Sequence, residues 1–125
     1  MTYGYQYVVL RYVPAIEREE FVNVGVVLYA QLADFLGVAH HLDTARLQAF
    51  SPSVDLTALD ASLRALERVC DDDPPPGLPQ HAKPGQRFGW LSAPRSTVLQ
   101  PGPVHGGVTA DPAAELERLL ATLVT

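Results

Sequence analysis

The chain has 125 residues, 47% of them hydrophobic, which is enough for one domain with its own core. Nine basic residues against fourteen acidic ones give a formal net charge of −5, which argues against a nucleic-acid partner because nucleic acids are bound by basic surfaces. A single cysteine excludes an intrachain disulfide, and Arg11 interrupts the apolar N-terminal run, so we expect a cytoplasmic protein without a signal peptide or a membrane partner.

Three segments in the first third of the chain have the composition of β-strands: residues 3–13, 21–30 and 34–41. The first is apolar on both faces, which is typical of a central strand. The charged segment before the second strand predicts an antiparallel return. The even positions of the second strand are all aliphatic and are expected to face the core together: Val22, Val24, Val26 and Leu28.

Helical periodicity appears in two later segments. After a helical turn at 43–49, residues 51–73 carry leucines at three- and four-residue steps, which predicts an amphipathic helix. The final segment, ADPAAELERLLATLV, predicts a second amphipathic helix with Asp111 as its cap and Pro112 at its first position.

The segments between these two helices lack apolar periodicity. Residues 71–86 are rich in proline and predict a flexible excursion within the domain. Residues 87–100 predict a strand or extended chain broken by Pro94, and the PGPVHGG stretch at 101–107 predicts a loop.

This order of elements predicts an α+β fold formed by a single domain over residues 1–125. We expect an antiparallel sheet of three to five strands with two amphipathic helices on one of its faces.

Three stretches together resemble an uncharacterised bacterial family, the domain of unknown function numbered 3037. They are YVVLRYVP at 7–14, EFVNVGVVL at 20–28, and APRSTVLQPGPVHGG at 93–107, which is followed by TADP. The resemblance implies a small cytoplasmic protein without an established activity. Genes of the family often lie beside a gene for a HipA-like kinase, so the resemblance also implies a protein partner of that kind. It supplies no catalytic residues.

The second strand contains two residues that a simple core strand does not need, Asn23 and Gly25. Gly25 predicts a β-bulge or a close approach by another segment. Glu20 and Asn23 lie three residues apart, so they face opposite sides of a regular strand and would form one polar site only across a bulge. The alternative is structural, with the Asn23 amide bound to a neighbouring loop.

Arg11 lies within an apolar strand and therefore needs a partner. If the first two strands pair around a bend near residue 17, Arg11 lies opposite Asn23, with Glu20 one diagonal away. A structural cluster and an anion-binding site both remain open for this group.

Two later stretches add polar candidates. Arg95, Ser96 and Thr97 could hold an anion, although the same residues are common in turns. His105 lies beside two glycines that allow close approach by a ligand. The candidate polar or anion-binding site therefore comprises Arg11, Glu20, Asn23, Arg95, Ser96 and His105.

The sequence contains no recognisable catalytic motif, no spacing of metal ligands and no cofactor motif, so neither metal nor cofactor is expected and enzymatic activity stays open. Two hypotheses follow. In one, the domain is an accessory or protein-binding module that uses exposed aromatics on its sheet. In the other, it is a small enzyme or a protein that binds a nucleotide or another anion. Convergence of the six candidates in one cleft would favour the second.

Overall fold

A computed structural model describes residues 1–78, 82–95 and 97–125 of the chain. In that part of the chain, five strands and four α-helices follow one another: β1 (Tyr3–Tyr12), β2 (Val22–Ala30), β3 (Phe35–His40), α1 (Thr44–Phe50), α2 (Leu56–Cys70), α3 (Pro84–Ser92), β4 (Leu99–Pro101), β5 (His105–Thr109) and α4 (Pro112–Leu123). Short 3-10 turns at Ile16–Arg18 and Gln31–Ala33 join the first three strands.

The strands form one antiparallel sheet in which β1 is central. β2 pairs along one side of β1 and β3 pairs with β2. β4 and β5 pair in succession along the other side of β1, and between them the Gly102 N–H donates to the Val9 carbonyl over 2.8 Å. The predicted α+β class, the antiparallel pairing of the first two strands and the sheet of up to five strands are confirmed.

A β-bulge interrupts the pairing of β1 with β2. Leu10 lies opposite Gly25 and Arg11 lies opposite Asn23, so Val24 is an extra residue in β2. Side-chain direction therefore changes at this point. The prediction that the four even residues share one face is wrong, because Val22 and Val24 lie on one side of the sheet and Val26 and Leu28 on the other.

The bulge gives β2 apolar residues on both faces, and helices cover both. One core cluster joins even residues of β1, among them Leu10, to α1, α2 and α3. The second cluster joins Val26, Leu28 and Ala39 to Leu116 and Leu119 of α4. The helices therefore lie on both faces rather than on one. None of the helices in the described ranges is long and apolar enough to cross a bilayer.

The sequence interpretation missed two elements. The segment from residue 87 to 92 is helical and not extended. Pro84 begins α3, and the Lys83 N–H donates to the Gln86 side chain over 3.0 Å, which is an N-terminal signal. The second is β5, which was predicted to be loop.

A buried arginine ties α3 to the end of α2. Arg87 is only 7% exposed, and its guanidinium donates to the carbonyls of Val69 and Cys70 over 2.8 and 2.7 Å and to that of Ala82 over 3.0 Å. A cation at this position binds the carbonyl end of α2, where the Val69 carbonyl also accepts from the Asp72 N–H over 3.2 Å. The last three residues of the predicted excursion, from Pro84 to Gln86, are helical. Residues 79–81 lie outside the described ranges, and the flexibility of the excursion stays a prediction.

The bulge predicts the effect of a methyl group at Gly25. A Cβ there would lie 2.9 Å from the Ala39 carbonyl oxygen and 3.1 Å from the Cβ of His40, so backbone would have to move. We expect Gly25→Ala to lower the free energy of unfolding by about 1–3 kcal/mol in urea denaturation. Gly89→Ala, in the exposed middle of α3 with open space around it, is the control and should be neutral or stabilising by about 0.5–1 kcal/mol. Equal effects of the two changes would contradict the close approach at Gly25.

Candidate functional site

The side chain of Arg11 lies on the face of the sheet that α4 partly covers. Its Cζ is 4.0 Å from the centroid of the Phe21 ring, a cation–π contact. A Cβ at Gly102 would lie 3.0 Å from the Arg11 Cζ and Nε, so the absence of a side chain there leaves room for the guanidinium. Phe21 and Gly102 thus fix the position of the cation from two sides.

A cleft of about 380 Å³ opens beside the Arg11 guanidinium. Its walls come from the end of β1, the 3-10 turn and β4: Arg11, Val13, Ile16, Glu19, Phe21 and Gln100. Among the described residues, no carboxylate lies within ion-pair distance of Arg11, and its buried Nε has no hydrogen-bond acceptor. The guanidinium is therefore held in position, and none of the described carboxylates neutralises it.

Asn23 lies opposite Arg11 in the sheet, as the sequence predicts. Its amide is used elsewhere, however, because Nδ2 donates to the Leu123 carbonyl at the end of α4 over 3.1 Å. The Asn23 Oδ1 is buried and has no partner in the described part of the chain. The residue thus joins β2 to α4. This contact corresponds to the structural alternative, except that the amide binds the end of a helix instead of a loop.

Glu20 does not join Arg11. Its carboxylate accepts from Arg18 over 2.5 Å, and both side chains are largely exposed. The pKa of Glu20 is lowered, first by this hydrogen bond and then by the Arg18 charge. The carboxylate that lines the cleft belongs to Glu19, which ends the 3-10 turn in a left-handed conformation with a φ of 56°. Sequence reasoning missed Glu19 and Phe21, although an exposed aromatic one diagonal from a strand arginine is a signal for such stacking.

Arg95 lies on the opposite side of the sheet, near the core cluster that α2 and α3 form. Its guanidinium lies 4.6 Å from the Trp90 ring centroid and donates to the carbonyls of Trp90 and Ala93. Burial lowers the pKa of Arg95. Arg95 therefore closes the end of α3 and does not share a site with Arg11. Ser96 lies outside the described residues.

His105 is the first residue of β5 and shares the face of Arg11. Its ring centroid is 5.2 Å from that of Tyr7, and Tyr7 is 6.1 Å from Tyr5. α4 packs mainly against β2 and β3, and only its edge reaches Tyr5, which is hydrogen-bonded to Arg118, so both tyrosines stay half-buried beside the helix. We call the surface formed by Tyr5, Tyr7, Arg11, Phe21 and His105 the aromatic face.

The other reactive side chains in the described part of the chain do not gather into a second candidate site. Cys70 is buried, and burial is the main reason that its pKa rises to about 12. His40 is bound to Glu67 of α2. Within residues 1–78, 82–95 and 97–125, no group of three or more histidine, cysteine or acidic side chains could hold a metal ion. The five candidates in the described part of the chain thus separate, and among them Arg11, Asn23 and His105 share one face.

A family model described as a protein of unknown function, DUF3037, matches residues 7–124. The chain belongs to the DUF3037 family. No curated protein and no solved structure matches the chain. Membership in DUF3037 identifies the chain without assigning it an activity, so a function has to be inferred from the arrangement described above.

The different surroundings of Arg11 and Arg87 predict losses of stability of different size for the same substitution. Arg87→Met removes a charged donor from the carbonyls of Val69, Cys70 and Ala82 and should lower the free energy of unfolding by about 2–4 kcal/mol. Arg11→Met removes no donor from a protein acceptor and loses only the contact with Phe21, so it should cost less than about 1 kcal/mol. Urea denaturation of both variants checks this. A large loss in Arg11→Met would show that Arg11 has a structural partner.

Cys70 predicts a thiol that does not react while the protein is folded. With its pKa raised from 9.0 to about 12, it stays protonated and covered at pH 8, whereas the unfolded chain exposes an ordinary thiol. We expect no colour from a disulfide reagent at pH 8 in buffer and one equivalent per chain in urea. Rapid reaction of the folded protein would show that α2 and α3 open at this point.

Proposed function

We propose that this DUF3037 protein is a binding module that docks a protein partner on its aromatic face. The observation that carries the proposal is the separation of the described polar candidates combined with an aromatic surface that stays partly exposed beside α4. The partner that we propose is a HipA-like kinase, which the family resemblance suggests.

The chemistry of the aromatic face supports docking. Tyrosine, phenylalanine and arginine are enriched among the residues that contribute most to protein interfaces. Here Tyr5 and Tyr7 are half-buried and Phe21 is 42% exposed, so each side chain is held by the sheet while part of it remains accessible. Side chains that are already ordered lose little conformational entropy on binding.

We further propose that the complex forms in the cytoplasm of a bacterium. The single free thiol of Cys70 suits a reducing compartment. Docking to a kinase would give the module an accessory role, such as positioning the kinase or its substrate.

The second hypothesis, a small enzyme or nucleotide-binding protein, is favoured by one observation. Arg11 lines a cleft and forms no ion pair with a carboxylate in the ranges that the structure describes. The cleft brings only one cation and one carboxylate together, and Arg95 lies on the other side of the sheet. A nucleotide site would require more donors to the phosphates than this cleft contains.

The docking proposal is tested by co-expressing the chain with the adjacent HipA-like kinase and measuring affinity by calorimetry. Phe21→Ser removes an exposed apolar side chain from the aromatic face and should weaken binding about tenfold or more. Val98→Ser is the matched control, because Val98 is 52% exposed and lies on the opposite side of the sheet near α2. We expect it to change the affinity less than about twofold.

Thermal unfolding of both variants shows whether each remains folded at the temperature of the binding measurement. Equal weakening by Phe21→Ser and Val98→Ser would place the interface elsewhere. The absence of any complex between the wild-type chain and the kinase would reject the kinase as the partner.

A further inference from the structure

We infer that the cleft beside Arg11 is a carboxylate-binding subsite, which receives an acidic group of the docked partner next to an apolar one. The inference rests on the proposed docking function and adds the chemistry that the partner must present. It concerns the six residues that line the cleft, and mainly Arg11, Glu19 and Phe21.

Arg11 is fixed in position, but none of the described carboxylates neutralises it. Its backbone lies in the central strand between β2 and β4, and Phe21 and Gly102 hold its guanidinium. An arginine that supports a fold normally donates to carbonyls or carboxylates, as Arg87 does. Arg11 has no such acceptor among the described residues. A cation that is ordered in advance binds an oxyanion with little loss of entropy.

The lining of the cleft favours a carboxylate over a phosphate. Glu19 lines the same cleft, so a doubly charged phosphate would meet one guanidinium and one carboxylate of its own sign. A carboxylate carries half that charge and matches the planar guanidinium. The other walls include Val13, Ile16 and Phe21, which suit an aliphatic group attached to the carboxylate.

The charge of the whole chain limits the distance over which the cleft can attract an acidic partner. The net charge of −5 disfavours long-range attraction of an acidic partner. Attraction to the cleft must therefore act over contact distance, and it should depend on Arg11 more than on ionic strength. The partner segment that we infer carries a carboxylate beside an aliphatic side chain. A C-terminal leucine or an acidic residue that follows a leucine has this pattern.

Two small molecules of the same shape test the inference, one ending in a carboxylate and the other in a neutral carboxamide. N-acetyl-leucine carries the carboxylate and the aliphatic group, whereas N-acetyl-leucinamide is neutral. In amide-resolved NMR titrations, we expect the acid to bind on the order of 1–10 mM and to shift the resonances of Phe21 and Gly102, and the amide to bind at least about tenfold more weakly. Equal binding of the acid and the amide would overturn the inference. Inorganic phosphate is the third probe, and tighter binding of phosphate than of the acid would also overturn it.

Three variants locate the interaction. Arg11→Met should weaken binding of N-acetyl-leucine about tenfold or more, and Arg64→Met, which changes an exposed arginine on α2, should leave it unchanged. Glu19→Gln removes the like charge from the cleft and should strengthen binding about two- to fivefold. Persistence of full affinity in Arg11→Met would overturn the inference.

The same variants separate this inference from the docking proposal. If Arg11→Met loses N-acetyl-leucine and also weakens the kinase complex, the carboxylate comes from the partner, as inferred. If the kinase complex requires Phe21 and is unaffected by Arg11→Met, docking on the aromatic face stands and the carboxylate subsite is rejected.

Discussion

The bulge at Val24 is the constraint on which the rest of the structure depends. One extra residue in β2 reverses the direction of the side chains that follow, so a single strand supplies apolar residues to two cores. The bulge is accommodated because Gly25 has no side chain, which lets the backbone of β3 lie directly against it. The helices can then pack on both sides of the sheet, and Asn23 points towards the end of α4.

The elements that the sequence could predict are those whose periodicity extends over many residues. The strands β1 and β2 and the helices α2 and α4 each repeat an apolar pattern long enough to be recognised. α3 and β5 are short and rich in glycine, and their stability comes from contacts made elsewhere in the chain. Phe88 of α3 stacks on Tyr29, and the Tyr5 ring covers Gly107 of β5. Such contacts join residues that are distant in sequence, so the local sequence of α3 or β5 does not predict them.

The candidate site was also only partly predictable from the sequence. The register that places Arg11 opposite Asn23 follows from two strands and the bend between them. Which carboxylate approaches Arg11 depends on a one-residue change of direction in the 3-10 turn, where Glu19 adopts a left-handed conformation and Glu20 faces Arg18. The contribution of Gly102 depends on β4, which is distant in sequence and only three residues long.

The pairing of Gly102 with Val9 has a consequence for how the sheet ends. Because the Gly102 N–H points inward to β1, the residues on either side of it direct their backbone nitrogens outward. Those residues are Pro101 and Pro103, and neither has a hydrogen to donate. A strand added beside β4 would lack two backbone N–H donors, which disfavours extension of the sheet at this edge. The prolines thus make the β4 edge a poor template for another strand, and they leave the broad surface of the sheet open.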